Sequence, residues 1–220
     1  LARRFLIFME SSHPTRLMDW VFEPFSEGSK ANVLHLGKPL PETVNTFTNY
    51  RCKIHVADAY SKLPFLLTNS NSQNSSSEFF REALEIPPAA RFNLCLFWDF
   101  LNFLDENLIN YFASFLEPHL EKNCRAHAFS VYNVKSIPLQ HHYGIANLKT
   151  ISSRPREKDI DAPIPPTLKM LQENFHCFKI DKSIMLADNR IEISMFKNNY
   201  LSEYPFAIEA FGFWQISLLH

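Results

Sequence analysis

Ala31-Asn32-Val33-Leu34-His35-Leu36-Gly37-Lys38-Pro39-Leu40-Pro41 is an apolar strand handed straight to a proline-bearing loop, and its reading decides the fold. In open α/β sheets the crevice beyond the carboxyl end of the first strand receives a ligand, and glycines there let backbone amides approach it. Gly37 stands at that junction, and the whole chain has only four glycines in 220 residues. Prolines occupy the positions where further glycines are expected.

Around this stretch, helix-like and strand-like segments alternate. Leu17, Trp20, Val21 and Phe25 lie at helical spacing over 16–25, behind His13-Pro14 and a cap at Thr15. Glu42 to Tyr50 reads as a short helix with Pro41 tolerated in its first turn. Cys52 to Ala57 alternates as a second strand ending at Asp58. From Thr68 to Ser77 every residue is Thr, Asn, Ser or Gln, which reads as a mobile loop, and Glu78 to Ile86 as a short third strand. Phe92 to Trp98 is the clearest buried strand and ends at Asp99. An amphipathic helix follows from about Glu106 to Leu120, then a fifth strand over Ala126–Val131. The polar, proline-rich segment from Ser136 to Pro166 reads as an irregular connection, and Thr167 to Asn174 as a short helix. Phe175–Leu186 and Ile191–Phe196 form a hairpin across Ala187-Asp188-Asn189-Arg190. Strand–helix alternation of this kind argues a doubly wound, mostly parallel sheet with helices on both faces, the terminal hairpin inserting one antiparallel strand.

Composition narrows the function classes. The formal net charge is −1 and 20% of residues are charged, so no broad electrostatic footprint for nucleic acid or an anionic membrane surface is present. No apolar stretch approaches the roughly 18 residues that span a bilayer. The opening Leu1 to Met9 is basic then apolar, but the run is short and Glu10 interrupts it, against a signal peptide. The four cysteines form no CxxC pair and read as reduced thiols in a cytoplasmic setting. His141-His142 are adjacent and diverge on any regular element, so no metal site is expected. No nucleophile elbow, Walker loop or HExxH motif occurs, and no catalytic residue is assigned.

With these elements in view, residues 16–197 resemble the class I S-adenosylmethionine-dependent methyltransferases, a seven-stranded Rossmann-like family whose last two strands form such a hairpin. The resemblance is carried most specifically by Pro87 to Leu104, with an acidic residue at the tip of the fourth strand, followed by the helix end Leu116-Glu117-Pro118-His119-Leu120. It implies a methyltransferase-like domain over 1–197 and an aromatic-rich tail over 198–220. The family's first motif is an apolar strand, an acid and a loop of alternating glycines. Here His35 replaces the acid, Pro39 and Pro41 replace the second and third glycines, and Gly37 alone remains. Proline removes the amide N–H, fixes φ and fills space the methionine part of the cofactor would occupy.

The resemblance implies cofactor-binding positions at Gly37, Asp58, Glu82, Trp98 and Asp99. Asp58, at the tip of the second strand, falls where the family's acid accepts the ribose hydroxyls, and Glu82 near its adenine-contacting acid. Trp98 could wall the pocket beside Asp99. Each has a plainer reading: Asp58 a strand-ending turn residue, Glu82 a solvated surface residue, Asp99 a helix N-cap. Two functions follow. One is a protein that has lost the cofactor and acts by association, with a protein partner or a second copy held through the aromatic tail Tyr204 to Trp214. The other is an active methyltransferase using S-adenosylmethionine through an atypical loop, acting on a small molecule or a protein. A Rossmann-like binder of another ligand is the third alternative.

Overall fold

In chain order the elements are β1 (Ser11–Pro14), α1 (Met18–Phe22), β2 (Lys30–Leu36), α2 (Pro41–Phe47), β3 (Arg51–Ala57) and α3 (Ala59–Asn69). Then come α4 (Gln73–Leu84), β4 (Phe92–Trp98), α5 (Glu106–Leu116), β5 (Leu120–Val131), β6 (His141–Asn147), β7 (Thr150–Pro155), α6 (Leu168–Asn174), β8 (Phe178–Met185) and β9 (Arg190–Lys197). The computed structural model describes residues 11–25, 30–69, 73–132, 140–156, 160 and 165–199. The aromatic tail from residue 200 onward lies outside the described residues.

The central sheet has six strands in the order β3-β2-β4-β5-β9-β8. β2 pairs in parallel with β3 and β4, and β4 with β5, while β9 is antiparallel to both β5 and β8. Its inner strands β2 and β4 read as continuous apolar runs because both of their faces are covered. Along β2, Ala31 and Val33 enter one core with Met18, Val21 and Phe22 of α1, Phe47 of α2, and Tyr143 and Ile145 of β6. Leu34 and Leu36 enter the other, with Leu63 of α3, Phe80 of α4, Phe112 of α5 and Leu171 of α6. Helices therefore lie on both faces, and no helix among the described residues is long and apolar enough to cross a membrane.

The sheet has six strands where seven were expected. The segment read as a third strand, Glu78–Ile86, is helical to Leu84. Phe79, Phe80, Ala83 and Leu84 recur at helical spacing and are buried, Phe80 lying 5.1 Å from the Phe112 ring. The polar stretch read as a mobile loop supplies, from Gln73, the first turns of that helix. β3 is thus left at the edge of the sheet.

A second correction concerns the segment read as an irregular connection. It carries β6 and β7, an antiparallel hairpin closed by Leu148-Lys149, which β1 extends to a three-stranded sheet. The amphipathic helix expected to reach Leu120 stops at Leu116, because Pro118 cannot donate to the helical ladder and a 3-10 turn, Glu117–His119, follows. Its start is fixed by Asp105, whose side chain accepts the Leu108 N–H at 2.9 Å. The expected cap at Thr15 accepts the Met18 N–H at 3.2 Å, and Thr167, read as the first residue of its helix, caps it instead, accepting the Met170 N–H at 3.2 Å. The terminal hairpin forms, its first strand starting at Phe178 rather than Phe175, which caps the end of α6, with Asn189 at φ +64° in its turn.

Candidate functional site

The chain leaves β2 toward β3 on one side and returns to β4 on the other, so the strand order reverses between β2 and β4. Open α/β sheets bind ligands at such a switch point, beyond the carboxyl ends of the strands. Here those ends are Leu36-Gly37 and Trp98-Asp99, so three of the five residues expected at a site are brought together.

Gly37 has φ +83°, and its N–H donates to the Ala57 carbonyl at 2.7 Å. A Cβ at this position would lie 2.8 Å from the ring of Tyr60, in the first turn of α3. The loop beyond it turns inward, and buried Leu40 packs on Gly144 of β6, where a Cβ would come within 2.7 Å of the Leu40 Cβ. The three-stranded sheet therefore sits against the proline-bearing loop.

Asp99 is only 2% exposed. Its Oδ1 accepts the Tyr60 hydroxyl at 2.7 Å and faces the Arg156 guanidinium at 3.4 Å, and its Oδ2 faces the His141 N–H at 3.4 Å. The Arg156 guanidinium also lies over the Tyr60 ring, 3.5 Å from its centroid. Burial, then the neighbouring Asp99 charge, pushes the Tyr60 hydroxyl well above its ordinary pKa, so it remains a donor. The acid at the fourth-strand tip is closed into a ring–cation–carboxylate cluster.

Trp98 has φ +53° and stacks on Tyr143, their centroids 5.4 Å apart. Its indole N–H, a donor only, meets His35 Nε2 at 3.1 Å, while His35 Nδ1 meets the Gly37 carbonyl, an acceptor only, at 3.0 Å. These two partners fix His35 as the neutral tautomer protonated at Nδ1. Burial lowers its pKa from 6.5 to about 4 against the opposing hydrogen bond to Gly37. The unfolded chain takes up this proton below pH 6.5 and the folded chain only near 4, so stability falls as pH drops through that window. The fall is on the order of 2–3 kcal/mol. Thermal unfolding followed by circular dichroism from pH 7 to 4 reads the slope, and His35→Gln makes it shallower by this contribution, leaving the smaller part due to His13 and His142, whose pKa values burial also lowers.

The other two expected residues stand apart. Asp58 is exposed at the start of α3, where its carboxylate accepts the Ser61 N–H at 3.4 Å and its carbonyl the Ser61 hydroxyl at 3.0 Å. Beside it is a notch of about 250 Å³ lined by Val56, Lys62, Ala83, Leu84 and Glu85. Glu82 is exposed on α4, and its carbonyl accepts Lys62 Nζ at 2.6 Å. Among the described residues no group of three or more His, Cys, Asp or Glu could hold a metal ion. Tyr60 and Arg156 were missed: Tyr60 follows Asp58 by two positions, and Arg156 sits in the charged run of the segment read as irregular.

No protein-family model matches the sequence, and no curated protein matches it. Solved structures similar to it include an S-adenosylmethionine-dependent methyltransferase from Clostridium acetobutylicum, at 15% identity and TM-score 0.44, covering 82% of this chain and 90% of that one. A second is the 1,6-didemethyltoxoflavin-N1-methyltransferase of Burkholderia thailandensis with bound S-adenosylhomocysteine, at 13% identity and TM-score 0.43, covering 82% and 76%. A third is the pyocyanin biosynthetic protein PhzM, at 10% identity and TM-score 0.42. The chain spans about half of that protein, 54% of its length, with 82% of its own. The fold of this chain is a Rossmann-like α/β fold, with six strands in its central sheet and the strand order reversing between β2 and β4, at Gly37 and Asp99.

Proposed function

We propose that this chain is a methyltransferase-like protein that does not use S-adenosylmethionine and works by association with another protein. The observation that carries the reading is Tyr60, which lies over Gly37 and is held there by Asp99 and Arg156. The residues present do not fit an adenosyl cofactor. Pro39 and Pro41 offer no N–H, the Gly37 N–H is donated to Ala57, and the space above the strand end is taken by a phenol ring. Asp99 is engaged by three protein partners rather than turned toward a ligand.

Thermal unfolding with S-adenosylmethionine tests this reading. A ligand at a thousand times its dissociation constant adds about 4 kcal/mol to stability. For a chain of this size that corresponds to a rise in Tm of roughly 8–16 °C. The proposal expects no shift with millimolar cofactor; a rise of that size overturns it.

One observation favours the second reading, an active methyltransferase with an atypical loop: the Asp58 carboxylate is exposed beside the 250 Å³ notch. On that reading Asp58→Ala abolishes cofactor binding.

A further inference from the structure

The edge left bare by the conversion of the expected third strand into α4 has a regular chemistry. The Ala57 carbonyl accepts from Gly37, beside β2, so the backbone groups of Arg51, Lys53, His55 and Ala57 point toward β2. By the two-residue period of a strand, the N–H and C=O groups of Cys52, Ile54 and Val56 point away from the sheet. Among the described residues β3 pairs with β2 alone. An unpaired edge of seven residues is a template for another extended chain.

Side chains alternate in the same register. Arg51, Lys53 and His55 fall on one face, and Cys52, Ile54 and Val56 on the other, where Cys52 and Ile54 pack against the core and Val56 is 46% exposed. The basic face continues into a concavity of about 430 Å³ lined by Lys30, Lys53, His55, Arg91 and Phe92, with Glu121 its one acid. The opposite edge, β8, differs: Lys179, Asp181 and Lys182 mix both signs. The charge on β3 has a single sign.

We propose that β3 is a docking edge for an extended segment of a partner protein in which acidic and apolar residues alternate. Such a segment adds a seventh strand, its backbone bonding to Ile54 and Val56, its acids beside Arg51, Lys53 and the basic concavity, and its apolar residues beside Val56. Charge decides the occupant. A second copy of this chain would set Lys53 against the other copy's basic face, which is repulsive, and the tail after Asn199 carries only Glu203 and Glu209 as acids. The inference rests on the association reading above, yet fails separately from it, since cofactor titration does not probe this edge.

The test uses the full chain and a fluorescein-labelled synthetic peptide of alternating Glu and Val, with an alternating Lys and Val peptide as its counterpart, read by fluorescence anisotropy. The Glu–Val peptide is expected to bind saturably and at least about tenfold more tightly than the Lys–Val peptide. Val56→Pro removes an outward N–H while leaving the β2 ladder intact, and is expected to weaken binding by about tenfold or more. The double variant Arg51→Glu, Lys53→Glu changes only exposed side chains and is expected to abolish binding, which keeps the test decisive if the proline variant does not fold. Absence of saturable binding, equal binding of both peptides, or full affinity in the double variant overturns the proposal. Slow amide exchange at Ile54 and Val56 in the free chain also overturns it, by showing the edge covered by the protein's own segment.

Discussion

Replacing Glu192 with alanine is expected to lower stability by about 3–5 kcal/mol, the usual consequence of removing one partner of a buried pair. Glu192 is fully buried on β9, between the sheet and the start of α1. Its Oε1 accepts His127 Nε2–H at 3.0 Å and the Thr15 hydroxyl, and its Oε2 accepts the Arg16 N–H at 3.0 Å. Burial alone would raise its pKa. The hydrogen bonds from His127, Thr15 and Arg16 outweigh that effect and hold it at about 2, so the group is a carboxylate in the folded chain. Alanine leaves three donors without an acceptor and frees the turn that joins β1 to α1. Urea unfolding at pH 7 reads the loss, and an unchanged midpoint would contradict the assignment. The sign in acid follows from the depressed pKa. This carboxylate's contribution is complete above its ordinary pKa of 4.5 and is lost as pH falls toward 2, whereas Glu192→Gln has no such dependence.

Gly37→Ala is expected to cost about 2–5 kcal/mol, from two separate causes. A side chain at φ +83° carries the left-handed penalty of roughly 1–2 kcal/mol. Crowding against Tyr60 adds about 1–3 kcal/mol, because that ring cannot swing aside. Asp99 holds its hydroxyl, Arg156 covers its face, and Phe100 and Phe103 meet it edge-on at 5.3 and 5.9 Å. A double-mutant cycle separates the two causes. In a Tyr60→Leu background the crowding part disappears and only the backbone part remains. If Gly37→Ala costs the same in both backgrounds, Tyr60 does not fill the cradle.

Legibility in the sequence tracked how locally each feature is determined. The apolar runs of β2 and β4 are readable because strands covered on both faces carry no polar alternation to confuse with a helix, and the β8–β9 hairpin because a short polar turn joins two strand-like runs. Residues 78–84 were misread because two adjacent phenylalanines after a polar tract look like a short strand, and only their burial against Phe112 and Phe115 reveals the helical stripe. β6 and β7 were missed although Tyr143, Ile145 and Ile151 alternate inward, since the surrounding prolines and charges dominate a local reading. At the site, Gly37, Trp98 and Asp99 could be placed from the strand ends and the resemblance. Tyr60 and Arg156 could not. They act through contacts 39 and 57 residues away in sequence, both on Asp99, and no spacing rule announces such a meeting.

On the function proposed above, Tyr60, Leu40 and the two prolines close the crevice at the strand-order reversal to an adenosyl group. Titration calorimetry with S-adenosylhomocysteine measures this directly, because it needs neither a substrate nor turnover. No saturable heat is predicted up to about 1 mM, a concentration at which even a weak site of millimolar affinity would begin to fill. A dissociation constant in the micromolar range, lost on Asp58→Ala, would contradict the account.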